Sequence, residues 1–184
     1  ALAGTAVGVP RIAVEPASID FGSVVLGESA EQALTVHNMG SAELVVSAVE
    51  SSELTFSVMG ETAFGLAPGA SQELSVQFSP TAIGQKQATL AIRSNDADQP
   101  TLVVALSGVA VGEPRIAVEA ERLDFGSVVV GERVEETLTV GNTGSAELVV
   151  SAVESSGPAF AVVGEAAFTL APGGSRVITV EFEP

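Results

Sequence analysis

The chain has 184 residues and a formal net charge of −16 at neutral pH, with Lys86 as its only lysine and no cysteine. The lack of cysteine excludes disulfides and thiolate chemistry, and the scarcity of basic side chains argues against nucleic acid and anionic membranes as partners. Since no apolar run is long enough to cross a bilayer, direct membrane insertion of this segment is not expected.

Short β-forming runs, separated by turn residues about every eight to twelve positions, predict an all-β domain. Alternation of apolar with Ser, Thr and Glu side chains places Leu74, Val76 and Phe78 on one face of one strand. Such alternation indicates two sheets packed through their apolar faces, an immunoglobulin-like β-sandwich of about seven strands. The predicted strands are residues 11–15, 19–25, 31–38, 42–49, 54–58, 71–78, 85–93 and 101–108, and the first two are expected to pair with each other.

Two tight turns are predicted from local composition. Asn38, Met39 and Gly40 join the third and fourth strands, where Asn and Gly tolerate a positive φ. Pro68 and Gly69 form another turn, with Gly69 at the position that requires a positive φ.

The sequence repeats with an offset of 104 residues: Pro10–Pro80 and Pro114–Pro184 align without a gap, and 46 of 71 pairs are identical. A copy of this length can bury its own core, so each is predicted to be a separate domain. The connector of residues 109–113 is short, which favours a semi-rigid array.

The alignment also predicts where the domains divide. Residues 1–9 match residues 105–113, so they are expected to be the last-strand segment of a preceding copy. Residues 10–110 form a complete domain, and residues 111–184 form a second domain that lacks its last two strands. Two explanations stay open: the missing strands follow in a longer protein, or Ala1–Val7 of another molecule completes the sheet by strand donation.

Five spaced motifs suggest a family. In order they are IDFGSVVLGE (19–28), LTVHNMGSAEL (34–44), FGLAPGASQELSVQFSP (64–80), GQKQATLAIRSND (84–96) and VVALSG (103–108). Together they resemble the abnormal-spindle/Hydin (ASH) type of immunoglobulin-like domain, whose bacterial tandem versions are named choice-of-anchor D. The resemblance implies a non-enzymatic structural or protein-binding module without catalytic residues or cofactor, and an extracellular or bacterial cell-surface location.

No catalytic motif is recognised. The single histidine, His37, falls on the outward side of its strand if Leu34 and Val36 point inward, and the second copy has Gly141 there. A surface histidine without a catalytic role is therefore the preferred interpretation. The Asp-Phe-Gly tripeptide of residues 20–22 lacks the other kinase motifs, so Phe21 is expected to be a core anchor and Gly22 a turn.

The turn of residues 94–98 is the best metal candidate, with Asp96 and Asp98 as weak calcium ligands. Its match to the EF-hand pattern fails at the glycine and at the distal glutamate. The competing interpretation is a plain hairpin turn, in which Asn95 and Asp96 hydrogen-bond to nearby backbone.

The eight phenylalanines form four pairs, each 104 residues apart, and all are predicted to be core. The absence of Trp and Tyr disfavours carbohydrate and single-stranded nucleic acid as ligands. The sequence thus predicts a non-enzymatic stalk, scaffold or filament building block that contacts neighbouring copies of itself. Two alternatives are a protein-binding module that uses a loop end or edge strand, and a filament subunit that assembles by strand donation. The phenylalanines are Phe21, Phe56, Phe64, Phe78, Phe125, Phe160, Phe168 and Phe182.

Overall fold

Alternating apolar residues form β-strands throughout the computed structural model, which describes residue 4 and residues 7–184 and contains no helix among them. Contacts divide the chain into two units, Ala1–Val111 and Gly112–Pro184. The predicted last-strand segment of residues 1–9, and the strand donation assigned to Ala1–Val7, lie largely outside the described residues. In the first unit the strands are β1 (Ile12–Glu15), β2 (Ser18–Val25), β3 (Ala30–Asn38), β4 (Leu44–Ser51), β5 (Phe56–Met59), β6 (Phe64–Leu66), β7 (Ser71–Phe78), β8 (Gly84–Ser94) and β9 (Thr101–Val111).

The strands of the first unit form two sheets, in the orders β1-β3-β7-β5 and β2-β9-β8-β4-β6. The predicted immunoglobulin-like sandwich is confirmed, and β6 is a strand that sequence patterning missed. The expected pairing of the first two strands is wrong: Ile12 of β1 lies opposite Asn38 of β3, whereas Ile19 of β2 runs parallel to Leu106 of β9. Because Ile12 and Ile19 are both buried, each strand contributes an apolar side chain to a different layer of the sandwich.

The core of the first unit lies between the two sheets. Three phenylalanines from β2, β5 and β7 pack together, and the rings of Phe56 and Phe78 stack at 4.7 Å between centroids. Phe21 is buried, so the predicted core anchor is confirmed. Gly22 does not form the predicted turn: it lies inside β2 with a φ of 65°, where the register between β2 and β9 shifts between Asp20 and Ser23. The other fully buried apolar side chains include Leu34, Val36, Val76, Leu90, Ile92 and Val104.

The two predicted turns have different outcomes. Gly69 has a φ of 78°, as predicted. Gly40 is not among the residues with a positive φ, so the stated reason for glycine there is wrong. Glycine is needed for space instead, because a Cβ at Gly40 would lie 2.3 Å from the carbonyl oxygen of Val9.

The strands of the second unit are β10 (Ile116–Val118), β11 (Val134–Asn142), β12 (Leu148–Val150), β13 (Phe160–Val163), β14 (Phe168–Leu170) and β15 (Ser175–Phe182). They form an equivalent first sheet, β10-β11-β15-β13, but the other sheet has only β12 and β14 among residues 112–184, all of which are described. Residues 122–129, which correspond to β2, form no strand. Phe160 is 39% exposed whereas its counterpart Phe56 is 1% exposed, so the prediction that every phenylalanine is core is wrong there. No strands equivalent to β8 and β9 cover it.

Candidate interaction sites

A short backbone clamp fastens the segment before β1 to the loop between β3 and β4. The carbonyl oxygen of Val9 accepts hydrogen bonds from the backbone N–H of Ser41 at 2.8 Å and of Ala42 at 3.2 Å. In return, the N–H of Val9 donates to the hydroxyl oxygen of Ser41 at 3.1 Å. Three hydrogen bonds to one residue hold the segment in a single position on its own domain.

The same clamp recurs in the second unit, 104 residues later. The carbonyl oxygen of Glu113 accepts from the N–H of Ser145 at 2.7 Å and of Ala146 at 3.2 Å. The N–H of Glu113 donates to the hydroxyl oxygen of Ser145 at 3.0 Å. The side chain at the clamped position is Val in one copy and Glu in the other, so the contact is made by backbone and tolerates different side chains.

Glycines on both sides of the clamp allow this close approach. A Cβ at Gly112 would lie 2.7 Å from the carbonyl oxygen of Ser145, and one at Gly144 would lie 2.2 Å from that of Glu113. Distances below 3.0 Å to backbone atoms are not tolerated without movement of the chain. The VG dipeptide before each copy and the GSAEL motif within it are therefore two halves of one contact.

A buried asparagine holds the backbone of each clamp in place through side-chain hydrogen bonds. The Asn38 amide donates to the carbonyl oxygens of Ala42 at 2.8 Å and Leu66 at 2.9 Å. Its Oδ1 accepts from the N–H of Gly40 at 2.9 Å and of Arg11 at 3.4 Å. Asn142 makes the equivalent four bonds in the second unit. Sequence reasoning missed this role, although identical residues in both copies at N-x-G-S-A were a usable signal.

The predicted metal-binding turn has its carboxylates occupied by the protein itself. Asp96 is 4% exposed, and its Oδ2 accepts from the backbone N–H of Ile12 at 2.9 Å. Its Oδ1 accepts from the N–H of Asp98 at 3.0 Å and of Gln99 at 3.4 Å. These hydrogen bonds, above all the one from Ile12, lower the pKa of the Asp96 carboxyl below its usual value, against the opposing effect of burial.

Neighbouring residues of the turn are also engaged. The Asn95 side chain accepts from the N–H of Val45 at 2.8 Å and donates to the carbonyl oxygen of Glu43 at 3.1 Å. Asp98 forms an exposed ion pair with Arg11. Across residue 4 and residues 7–184, no three His, Cys, Asp or Glu side chains converge as metal ligands would. Calcium binding by Asp96 and Asp98 stays a prediction, and the geometry favours the hairpin-turn interpretation.

The single histidine lies on the outward side of β3, where His37 is half-buried between Ala13 of β1 and Ser71 of β7. Leu34 and Val36 are fully buried, as predicted.

A groove of about 550 Å³ lies on the outer face of the sheet that contains β2, β8 and β9, and it is lined mainly by polar side chains. They are Ser18, Asp20, Ser52, Gln87, Thr89 and Ser107.

Val150 and Val153 of the second unit are half-buried, whereas their counterparts Val46 and Val49 are 1% and 5% exposed. Val46 and Val49 belong to β4, which pairs with β8 in the first unit, and residues 112–184 contain no counterpart of β8.

Within the described residues, no helix has the length and apolarity needed to cross a membrane.

The sequence matches the family model of the HYDIN/CFA65/VesB-like Ig-like domain over residues 10–108 and 114–184. The chain is also 32% identical, over 136 residues, to the cilia- and flagella-associated protein 74 of Chlamydomonas reinhardtii. That match covers 67% of this chain and 6% of the Chlamydomonas protein.

Solved structures with a similar fold include the ASH/PapD-like domain 7 of human CEP192 and the VesB protease of Vibrio cholerae. The CEP192 domain is 19% identical with a TM-score of 0.48, and the match covers 54% of this chain and 84% of that chain. VesB is 18% identical with a TM-score of 0.45, and the match covers 53% of this chain and 31% of that chain. Both TM-scores are below 0.5, and nothing about function follows from them.

The expected bacterial cell-surface location is wrong, since the similar Chlamydomonas reinhardtii protein is a cilia- and flagella-associated protein. That expectation came from the bacterial tandem members of the resembling family. The family interpretation itself is confirmed in both copies. This chain belongs to the HYDIN/CFA65/VesB-like family of immunoglobulin-like domains.

Proposed function

We propose that this chain is a non-enzymatic structural segment in which successive immunoglobulin-like domains set the spacing of a larger protein and offer surfaces to protein partners. The observation that carries the proposal is the duplicated clamp at Val9 and Glu113, made by the same three hydrogen bonds in both copies. A clamp that fixes where each copy begins serves a spacing role, and it has no evident use in catalysis.

The energetics support this role. The last backbone hydrogen bond of the first unit runs from the Leu26 N–H to the Val111 carbonyl oxygen at 2.8 Å. Only Gly112 lies between Val111 and the clamped Glu113. A connector with so few unfastened residues loses little conformational entropy when the array is ordered. We infer that spacing is encoded by the connector and its clamp.

The test is a series of proteins that contain one to four copies of residues 10–113. Small-angle X-ray scattering should give a maximum dimension that increases by a constant step for each added copy. Residues 109–111 belong to β9, so the connector is shorter than the predicted residues 109–113. A control series with a flexible Gly-Ser segment inserted after Gly112, beyond the end of β9, should give smaller, broadened increments. Equal behaviour of the two series would contradict a spacing role for the clamp.

A second candidate function is protein binding through one loop end of the first unit. Leu54 is fully exposed and Ile83 is 54% exposed, and their loops are joined by a hydrogen bond from Ser79 N–H to the Thr55 carbonyl oxygen at 2.9 Å. We infer that these two exposed aliphatic side chains on adjoining loops form a candidate contact surface. Cross-linking with a photoreactive residue at Leu54, compared with one at exposed Val103 on β9, tests whether this end is preferentially contacted.

A further inference from the structure

We propose that a free edge of β8 binds an extended segment of a partner protein, which adds to the sheet beside residues 84–88 and places a carboxylate side chain next to Lys86. The inference deepens the protein binding proposed for the loop end that contains Leu54 and Ile83, and it rests on that proposed function. The partner is defined by its chemistry: a β-forming segment that carries one acidic residue together with aliphatic side chains.

The edge is free because β4 leaves β8 early. β4 pairs with β8 only at residues 90–94. Beyond them, the N–H of Thr89 donates to the Ser52 hydroxyl oxygen at 3.0 Å, and the Thr89 carbonyl oxygen accepts from the Ser52 N–H at 2.9 Å. Residues 84–88 extend β8 further, and β9 is their only strand partner in the described chain.

The unpaired backbone groups of this edge belong to Gln85 and Gln87. In an antiparallel strand, the backbone groups of successive residues point to opposite edges, so residues two apart share an edge. Since both backbone groups of Thr89 point away from β9, those of Gln87 and Gln85 do so as well. Within residue 4 and residues 7–184, none of these four groups has a hydrogen-bond partner. Together they form the template that an added strand requires.

A cavity of about 240 Å³ lies along this edge, between β8 and the crossover of residues 52–55 that connects β4 to β5. Leu54, which is fully exposed, belongs to this crossover, and Ile83, which is 54% exposed, directly precedes β8. An added segment would place its side chains in space that is already open and would cover both aliphatic residues. The cavity is lined by Glu53, Thr55, Phe56, Gln85, Lys86 and Gln87.

Lys86 determines which charge the site prefers. It is the only lysine of a chain with 23 acidic residues, and it is half-buried. In the part of the chain that the structure describes, Lys86 forms no ion pair. A half-buried ammonium group without a carboxylate partner favours an anionic group from a ligand, because partial loss of water strengthens the attraction. Glu53 on the opposite wall disfavours a run of acidic residues, so a single carboxylate is expected.

The 104-residue repeat shows that the fold does not require the side chains of the crossover. Residues 53–55 are Glu-Leu-Thr, whereas residues 157–159 are Gly-Pro-Ala. Both segments nevertheless form the same backbone hydrogen bonds, one of 3.1 Å within the segment and one of 2.9 Å to the residue after β7 or β15. The side chains of residues 53–55 are therefore available for a contact that is specific to the first copy.

The test uses the full 184-residue chain. The probe is a phage-displayed library of random peptides of about twelve residues, longer than a typical strand. Recovered peptides, synthesised with a fluorophore, should share one acidic residue within a β-forming segment. When such a peptide binds, hydrogen exchange measured by NMR should slow at the amides of Gln85 and Gln87. It should change less at Lys86 and Ala88, whose amides already face β9.

Chain variants separate the edge from the charge. Gln87→Pro removes the edge N–H but no hydrogen bond to β9, so it should weaken peptide binding about tenfold or more. The matched control Gln87→Ala keeps the N–H and should bind like the native chain. Lys86→Gln removes the charge and should weaken binding about tenfold. If Gln87→Pro alters exchange protection in β9, Lys86→Gln and the amide protection of Gln85 and Gln87 decide the outcome.

Four results would overturn the inference. They are recovery of no peptide, unchanged exchange at Gln85 and Gln87, native affinity in Lys86→Gln or in a folded Gln87→Pro variant, or self-association of the chain alone that protects the same amides. Photo-cross-linking at Leu54 tests the loop-end binding separately. Capture at Leu54 with unchanged exchange at Gln85 and Gln87 would support the proposed binding function and reject only the added strand.

Discussion

The backbone N–H of Ser145 lies 2.7 Å from the carbonyl oxygen of Glu113, and this hydrogen bond joins two motifs that are 32 residues apart. Ser41 and Val9 form the same bond at 2.8 Å in the first unit. The contact explains why glycine precedes both serines, since a side chain would occupy the space of the carbonyl group. Connector and loop therefore form one structural element.

Replacing the glycine before Ser145 should release the connector. In Gly144→Ala, the new Cβ would meet the Glu113 carbonyl oxygen, and we expect a loss of about 1–3 kcal/mol from overpacking. Hydrogen exchange at the amides of Ser145 and Ala146 should become about tenfold or more faster. The matched control is Gly141→Ala, whose Cβ would have its nearest atom at 3.9 Å. Similar exchange rates in both variants would contradict the clamp.

Asn38→Ala should strongly destabilise the first unit. Removal of this buried side chain leaves two carbonyl oxygens and two N–H groups without their partners, at a cost of about 3 kcal/mol in the free energy of unfolding. Urea unfolding followed by amide NMR signals of β3 and β7 measures the change. Asn95→Ala removes hydrogen bonds that are more exposed to solvent, so it should lower the free energy of unfolding by less than about 1 kcal/mol. Equal losses would argue against Asn38 as the support of the clamp.

The stability of the first unit should depend on the charge of Asp96 at acidic pH. The folded-state pKa is lowered, chiefly by the hydrogen bond from Ile12 N–H, so the stabilisation is fully present above the unfolded pKa of about 3.9. It is lost as the pH falls through the lower folded-state pKa. Asp96→Asn should therefore be less stable than the native chain at pH 7, with a difference that shrinks below about pH 4. A difference that is constant with pH would contradict this role.

The hairpin-turn interpretation of residues 94–98, which the geometry favours, predicts that calcium does not bind there. Three backbone N–H groups occupy the Asp96 carboxylate, and Arg11 pairs with Asp98, so a calcium ion would have to displace existing partners. We expect no heat of binding in calorimetric titration at millimolar calcium. Heat that disappears in Asp96→Asn would restore the metal-site prediction.

The strands could be predicted from the sequence because the alternation of apolar and polar residues indicates which side chains are buried. The segment of residues 71–78 was predicted with the observed bounds, and Leu74, Val76 and Phe78 are all buried. The partners of β1 and β2 could not be predicted, because the apolar alternation of a strand does not indicate which of the two sheets it joins. The role of Gly40 was missed for a related reason, because its constraint is the Val9 carbonyl group 31 positions earlier.

The sequence by itself determined the fold class, the family and the two-copy organisation, because alternation, aromatic spacing and the 104-residue repeat are properties of residue order. It also placed His37 on the outward side of its strand, opposite to Leu34 and Val36. The tertiary structure alone decided what Asn38, Gly40, Asp96 and Phe160 do. Their roles depend on partners distant in the chain, or on neighbours that are absent from residues 112–184. Hydrogen bonding and close packing act through space, so only the arrangement of the strands could assign them.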